Sequence, residues 1–326
     1  MQRLTSSETL VAALMLRQGR LVGVPTETVY GLAANGLDPI AVARIYTAKG
    51  RPADNPLILH VDGLAAAWPL WSLELVHRRR ATRAAALWPG PLTLVLPASS
   101  VVPAIVTAGL STVAVRVPDH PVTLSIISEF GAPIAAPSAN RSGRPSPTLA
   151  AHVVEQLEGR IDAVIDGGPC RVGVESTVVD LGADQVRILR PGAISPETLE
   201  AVLGETVVRY DSAFVGASPG LRHRHYRPDV SAVVPLTEPV SAWRSTDALI
   251  VFASTAGALA ARLGTRTAHT EVLPDSASGA MQALYAALVA AGGSGAQCVQ
   301  IELPDVERHP GSAWDAVRDR LGRATR

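Results

Sequence analysis

Lysine is almost missing from this chain. Its 326 residues carry 29 cationic side chains, and all but Lys49 are arginine. Arginine is bulkier, planar and always charged, so it cannot stand in for a compact ammonium in a tight site. A composition that has otherwise abandoned lysine marks Lys49 as a residue whose chemistry is used. Net charge is missing too, since 29 acidic residues balance the 29 basic ones. No global basic excess draws the chain to nucleic acid or to an anionic membrane, and such contact would need a local patch. Cysteine is scarce: Cys170 and Cys298 stand far apart, which suggests neither a disulfide framework nor a zinc site and fits a reduced, cytoplasmic setting. Aromatics are only 4% of the residues, yet hydrophobic residues reach 47%, so a packed core is easily supplied.

Several signatures are also absent. No Gly-x-x-x-x-Gly-Lys-Ser/Thr loop occurs, which excludes a P-loop enzyme, and no Gly-x-Gly-x-x-Gly follows a strand to support dinucleotide binding. There is no Gly-x-Ser-x-Gly elbow and no His-Glu-x-x-His. The apolar run 10–16 is preceded by Glu8, followed by Arg17 and lacks a small-residue cleavage site, so it reads as an amphipathic helix rather than a signal peptide. Thr5 and Glu8 would form its capping box, Leu10, Val11, Leu14 and Met15 its apolar face, and Gly19 its stop. Residues 282–301 are uncharged but contain Gly292-Gly293-Ser294-Gly295, which makes them helix, turn and strand and not a membrane span.

What is present centres on residues 25–32, Pro-Thr-Glu-Thr-Val-Tyr-Gly-Leu. An apolar run, Leu21-Val22-Gly23-Val24, reads as a buried strand that Pro25 ends, and Gly31 reads as a turn. Two hydroxyls and a carboxylate crowd into Thr26, Glu27 and Thr28, where an α/β sheet presents its site. Asp38-Pro39 caps a helix that runs to Lys49. Residues 57–61 read as a strand interrupted by His60, and 113–118 as a strand carrying Arg116 among apolar neighbours. A long cation there snorkels or pairs with an anion. The loop 137–148 holds Ser138, Asn140, Ser142 and Ser146 between a strand and a helix capped by Thr148, an arrangement that suits an anion. Strands follow at 163–166, 175–181 and 186–189, the last ending in Arg190-Pro191-Gly192, and Ser195-Pro196 caps a helix that stops at Gly204.

Cations and hydroxyls thus recur at strand ends, at Lys49, Arg51, Arg116, Ser138, Ser142, Ser146 and Arg190. That inventory fits a polyanion such as a triphosphate held by side chains, with magnesium bound mainly through phosphate oxygens. Beyond residue 204 the pattern fades into a linker of about 25 residues, 205–229, containing Arg222-His223-Arg224-His225-Tyr226-Arg227-Pro228. A connection this long is usually functional or disordered, and a segment reaching back over the first domain's site explains its density of His, Arg and Tyr. Zinc binding by its histidines lacks the cysteines and the spacing. Strands and helices then alternate to the end, a small, mostly parallel α/β domain over 230–326.

Seven pieces in this order resemble the threonylcarbamoyl-AMP synthase family: residues 25–32; Lys49-Gly50-Arg51-Pro52 with Asn55-Pro56-Leu57; Pro89-Gly90-Pro91-Leu92-Thr93; Val115-Arg116-Val117-Pro118; Pro137-Ser138-Ala139-Asn140 with Ser142-Gly143; 175–180; and Arg190-Pro191-Gly192. Pro219-Gly220 and His225-Tyr226-Arg227-Pro228 resemble the linker of its two-domain members, although Arg227 stands where a small residue is expected. The resemblance implies an α/β chain with a YrdC-like twisted mixed-sheet domain over 1–204 and a smaller Rossmann-like α/β domain over 230–326. It implies a nucleotidyltransferase joining L-threonine, bicarbonate (or CO₂) and ATP, with Mg²⁺, to give L-threonylcarbamoyladenylate and pyrophosphate.

By motif, threonine would be held by Thr28, His60, Arg116, Ala136 and Ser176. ATP would be held by Lys49, Arg51, Asn55, Thr112, Ser138, Ser146, Arg190 and Tyr226, with Lys49 and Arg51 offsetting charge on the phosphates. Partners would be the tRNA threonylcarbamoyl-transfer machinery, with a possible tRNA or double-stranded RNA contact and no membrane. The alternative is a double-stranded RNA or tRNA-binding module without adenylation activity. A carbamoyl-phosphate-using relative of the same fold would carry zinc-finger cysteines that this chain lacks.

Overall fold

The computed structural model describes residues 1–211, 226–236, 246–257 and 269–325. The chain divides into two compact units, Met1–Ser142 with Pro147–Arg222, and Gly143–Ser146 with His223–Arg326. The expected linker falls outside the described residues over 212–225; the alternating pattern of the C-terminal part also predicts a helix over 255–263, which lies outside them beyond residue 257.

The strands of the first unit are β1 (Gln2–Leu4), β2 (Val22–Val24), β3 (Gly31–Asn35), β4 (Ile58–His60), β5 (Leu92–Pro97), β6 (Thr112–Arg116), β7 (Ile134–Ala135), β8 (Ala163–Ile165), β9 (Thr177–Asp180) and β10 (Arg187–Arg190). They form one ten-stranded mixed sheet in the order β1-β8-β2-β3-β7-β4-β6-β5-β9-β10. The pairs β1/β8, β2/β8, β4/β6 and β5/β9 are parallel. The others are antiparallel, including the hairpin of β2 and β3. The pattern reading missed β1 and β3. Gly31 opens β3 rather than turning the chain, and its role is space: a Cβ there would lie 3.2 Å from the Cβ of Ala136.

Strand alternation sorts the side chains onto two faces. Leu32, Leu59, Leu94, Val115 and Val179 join the large core cluster on one face. Ala33, Ile134 and Ala136 belong to a second cluster, and Ile58, Val95, Ala114, Val178 and Leu189 to a third, on the other face. By the same parity His60, Thr93 and Arg116 face away from the large core. Register aligns them across the sheet: Ile134 opposite His60, His60 opposite Arg116, Arg116 opposite Thr93, Thr93 opposite Val178. A β-bulge between Ile188 and Arg190 sets Arg190 opposite Val178 and completes the row. Without that extra residue, Arg190 would share a face with Ile188, which lies in the large core.

The first helix, Thr9–Arg17, corrects the expectation of its buried face. Ala12, Ala13, Met15 and Leu16 are buried, while Leu10 is 55% and Leu14 45% exposed, with Val11 exposed beside them. The alanines permit close packing against the helix Pro121–Phe130. Only half of the expected capping box forms: the Thr5 N–H donates to Glu8, which itself sits at the N-cap. Thr148 does not cap its helix either, because Ala150–Leu157 starts after Leu149. Asp38 and Ser195 cap as expected, accepting from the N–H groups of Ile40 (2.9 Å) and Thr198 (3.2 Å).

In the second unit β11 (Ala232–Pro235), β12 (Asp247–Phe252), β13 (His269–Leu273) and β14 (Cys298–Ile301) form an all-parallel sheet in the order β11-β14-β12-β13. The helix Ala277–Gly293 packs against it, beside Asp315–Ala324.

Gly192 follows β10 where the chain crosses the start of β9. A Cβ there would stand 2.3 Å from the Thr177 nitrogen and 2.7 Å from the Ser176 carbonyl carbon. Gly192→Ala is therefore expected to destabilise the first unit by about 1–3 kcal/mol, read as a lower urea midpoint with the denaturant slope unchanged.

Candidate active site

The loop 25–30 is fixed by its own hydroxyls before anything else touches it. Thr26 Oγ1 donates to the Val29 carbonyl (2.6 Å) and accepts from the N–H groups of Thr28 and Val29 (both 3.2 Å). That uses its only proton. In the 2.8 Å contact between the two hydroxyls, Thr28 is therefore the donor, and its oxygen remains free to accept from Arg116. The loop backbone is held as well: Tyr30 N–H donates to Pro147 O (2.8 Å), Val172 N–H to Glu27 O (2.8 Å) and Gly173 N–H to Thr28 O (3.1 Å). The buried Tyr30 hydroxyl donates to Gly168 O at 2.8 Å, and burial raises its pKa.

Arg116 ends β6 and is buried. Its Nε donates to Gly90 O (3.2 Å), its Nη1 to Thr28 Oγ1 (2.9 Å), and its Nη2 lies 2.6 Å from Glu27 Oε1. Glu27 is buried with it. His60, opposite Arg116 in register, is pushed down to about 3, first by burial and then by the Arg116 charge. Its Nδ1 is 3.3 Å from Ile58 O. A carbonyl can only accept, so the proton sits on Nδ1 and Nε2 presents a lone pair.

On the other side of Arg116, Thr93 and Ser176 share a hydrogen bond of 2.7 Å, both fully buried. Arg190 donates from Nε to Ser176 O and from Nη2 to Ser176 Oγ, each at 3.1 Å. Ala136, expected in the threonine pocket, is buried against Gly31 and donates its N–H to Ile58 O (3.1 Å).

Lys49 is the last residue of the helix Pro39–Lys49, which Gly50 closes in the left-handed region at φ 61°. Its ammonium is buried and donates to the carbonyls of Ser138 (2.5 Å) and Asn140 (2.6 Å), while its own carbonyl accepts from Ser142 N–H (2.9 Å). Residue 49 thus grips the 138–142 loop at three points. Burial, and then the Arg51 charge, holds the ammonium well below the usual lysine range, with Glu175 opposing. Arg51 donates to Asn55 O (3.1 Å), Asn55 Oδ1 (2.7 Å) and Pro56 O (2.8 Å), and burial lowers it to about 10, still charged at neutral pH.

The structure therefore brings Thr28, His60, Arg116, Ala136, Ser176 and Arg190 onto one face, with Lys49 at the end of its helix and Arg51, Asn55 and Ser138 on the adjoining loops. Thr112 begins β6, opposite Pro97, at the end away from Arg116. Ser146 and Tyr226 belong to the second unit. There Tyr226 packs at 5.3 Å from Tyr285 and 5.6 Å from the Arg320 guanidinium, and the Arg227 N–H donates to Gly143 O (3.0 Å). Glu27 and Thr93 are the residues that sequence reasoning left without a role. A lone polar residue in the run Leu92–Pro97 is the signal that marks Thr93. Among the described residues, no three His, Cys, Asp or Glu side chains gather as a metal site, and no helix is long and apolar enough to cross a membrane.

A family model described as telomere recombination matches residues 14–192, and one described as the threonylcarbamoyl-AMP synthase C-terminal domain matches 194–325. The chain is 49% identical over 243 residues to the threonylcarbamoyl-AMP synthase of Pyrococcus abyssi, covering 72% of this chain and 69% of that protein. It is 48% identical over 227 residues to the protein of that name from Bacillus subtilis, covering 67% and 63%. These matches span about two thirds of each relative's length. Among solved structures, that of Pyrococcus abyssi Sua5 complexed with L-threonine superposes with a TM-score of 0.86 at 36% identity, covering 99% of this chain and 97% of that one.

The depressed His60 pKa carries a pH dependence. An unfolded chain takes up this proton below about 6.5, whereas the folded chain refuses it until about 3. Acid therefore favours the unfolded state, by up to about 1.4 kcal/mol for each pH unit in that window. The stability difference between wild type and His60→Asn is expected to narrow from pH 7 to pH 5, measured by urea unfolding at both.

Proposed function

Because the chain belongs to the threonylcarbamoyl-AMP synthase family, with a Sua5/YciO/YrdC domain followed by the family's C-terminal domain, we infer that it makes L-threonylcarbamoyladenylate. The substrates are L-threonine, bicarbonate (or CO₂) and ATP, and pyrophosphate is released. The observation that carries this reading is Arg116, a buried guanidinium beside a neutral His60 and a row of hydroxyls. A guanidinium can grip a carboxylate through two parallel bonds, and the neutral imidazole can accept the threonine hydroxyl proton at Nε2. Thr28, Ala136 and Ser176 complete the threonine pocket in this assignment.

The threonine amine, once deprotonated, bonds to the carbon of bicarbonate with loss of water, giving a carbamate. A carbamate oxygen then attacks the α-phosphorus, the bond to the bridging oxygen breaks, and pyrophosphate leaves. No covalent bond to the protein is needed, so catalysis is positioning and charge stabilisation. We assign Arg51, Asn55, Ser138, Thr112 and Arg190 to the nucleotide, with magnesium arriving on its phosphates. Lys49 holds the Ser138 loop in shape, since its ammonium is bound to two loop carbonyls. The product supplies a tRNA threonylcarbamoyl-transfer step, in the cytoplasm. An RNA-binding module without adenylation is not favoured: Lys49, Arg116 and Arg190 are buried, whereas phosphate backbones are met by cations at the surface.

Pyrophosphate release from ATP is expected to require both L-threonine and bicarbonate. Lys49→Ala and Lys49→Arg are each expected to lose about 100-fold or more, because neither can hold both carbonyls in so small a volume. Release indifferent to threonine would leave a nucleotidase, and no release from folded protein would restore the RNA-binding reading.

A further inference from the structure

We propose that Glu27 is the residue that receives the α-ammonium of the amino-acid substrate, so that the Arg116–Glu27 pair recognises a zwitterion rather than a carboxylate alone. The assignment rests on the reading of this face as a threonine pocket, and it adds a substrate contact to it. The Glu27 side chain is fully buried, and among the described residues its one ion-pair partner is Arg116, at 2.6 Å from Oε1. Neither carboxylate oxygen receives a hydrogen bond from any described residue. Buried carboxylates ordinarily collect several donors, so this one has acceptor capacity to spare. It adjoins Thr28, and both residues touch the same guanidinium.

Charge balance points the same way. Two other titratable groups among the described residues feel Glu27: Cys170, pushed up to about 12 by burial, and His120, held below its ordinary value chiefly by burial. Both are neutral near pH 7, so Arg116 and Glu27 form a self-compensated pair. A substrate bringing only a carboxylate would set two anions on one buried guanidinium. An amino acid brings a cation for Glu27 together with the anion for Arg116, and the two dipoles lie head to tail.

The test compares L-threonine with (R)-3-hydroxybutyrate, which keeps a carboxylate and a hydroxyl but lacks the amine. Binding to the full chain is measured by calorimetry for wild type, Glu27→Gln and Glu27→Asp. Wild type is expected to prefer threonine by at least 100-fold. Glu27→Gln is expected to weaken threonine at least tenfold while leaving 3-hydroxybutyrate unchanged or tighter, and Glu27→Asp to restore part of the preference. Equal weakening of both ligands in Glu27→Gln would overturn the proposal and leave Glu27 only aiming Arg116. Should Glu27→Gln not fold, wild-type affinities within threefold of each other would overturn it as well. A wild-type protein that binds 3-hydroxybutyrate and threonine equally refutes this contact alone. One that binds neither, and releases pyrophosphate without threonine, refutes the functional reading and this assignment with it.

Discussion

A buried cation must not be left bare, and the architecture of this site grows from that constraint. An unpaired charge inside a protein costs several kcal/mol after relaxation. Lys49, Arg116 and Arg190 are all buried, and each meets the requirement partly with backbone carbonyls: Ser138 and Asn140, Gly90, and Ser176. Carbonyls available for this purpose come from loops, since those inside strands are already bonded. Arg116 and Arg190 therefore tie loops to the rigid sheet, and Lys49 ties one to the end of its helix. The chain's overall neutrality conceals this local concentration of positive charge, beside which an anionic substrate is proposed to sit.

The sheet supplies the precision. His60, Arg116, Thr93 and Arg190 reach one row because adjacent strands register them there, about 4.8 Å apart from strand to strand. On the opposite face the same strands send leucines and valines into the large core. Packing and chemistry are thus two parities of one structure. The bulge before Arg190 is where the two are traded. One extra residue moves a guanidinium from the core side to the face that carries His60 and Arg116, where it binds Ser176.

Much of this could be read in advance. Lys49 stood out by composition, Arg116 by its apolar surroundings, and residues 25–32 by their crowded polar groups. Each is a local anomaly, and a local anomaly is visible in one sequence. Glu27 was legible as part of that cluster but not its pairing with Arg116, and Thr93 and the bulge carried no assigned role, because these contacts join partners 89, 83 and 14 residues apart. The strand β3 hid behind Gly31, which reads as a turn residue but is required by the nearness of Ala136. The first helix misled through its large side chains: alanines face its partner, while Leu10 and Leu14 face outward.

Strand order also decides when this site can exist. Gln2–Leu4 lies beside Ala163–Ile165, and Arg190 closes a row that His60 belongs to. A nascent chain emerging from the ribosome holds Gln2–Leu4 long before its neighbour is made. The hairpin of β2 and β3 can close early, but Gln2–Leu4 waits unpaired until residues 163–165 are made, and non-local pairing of this kind is slow to form. The row from His60 to Arg190 is complete only when the last strand of the sheet is in place. A fragment ending before Arg190 lacks the residue that closes this row and, with it, the guanidinium bound to Ser176.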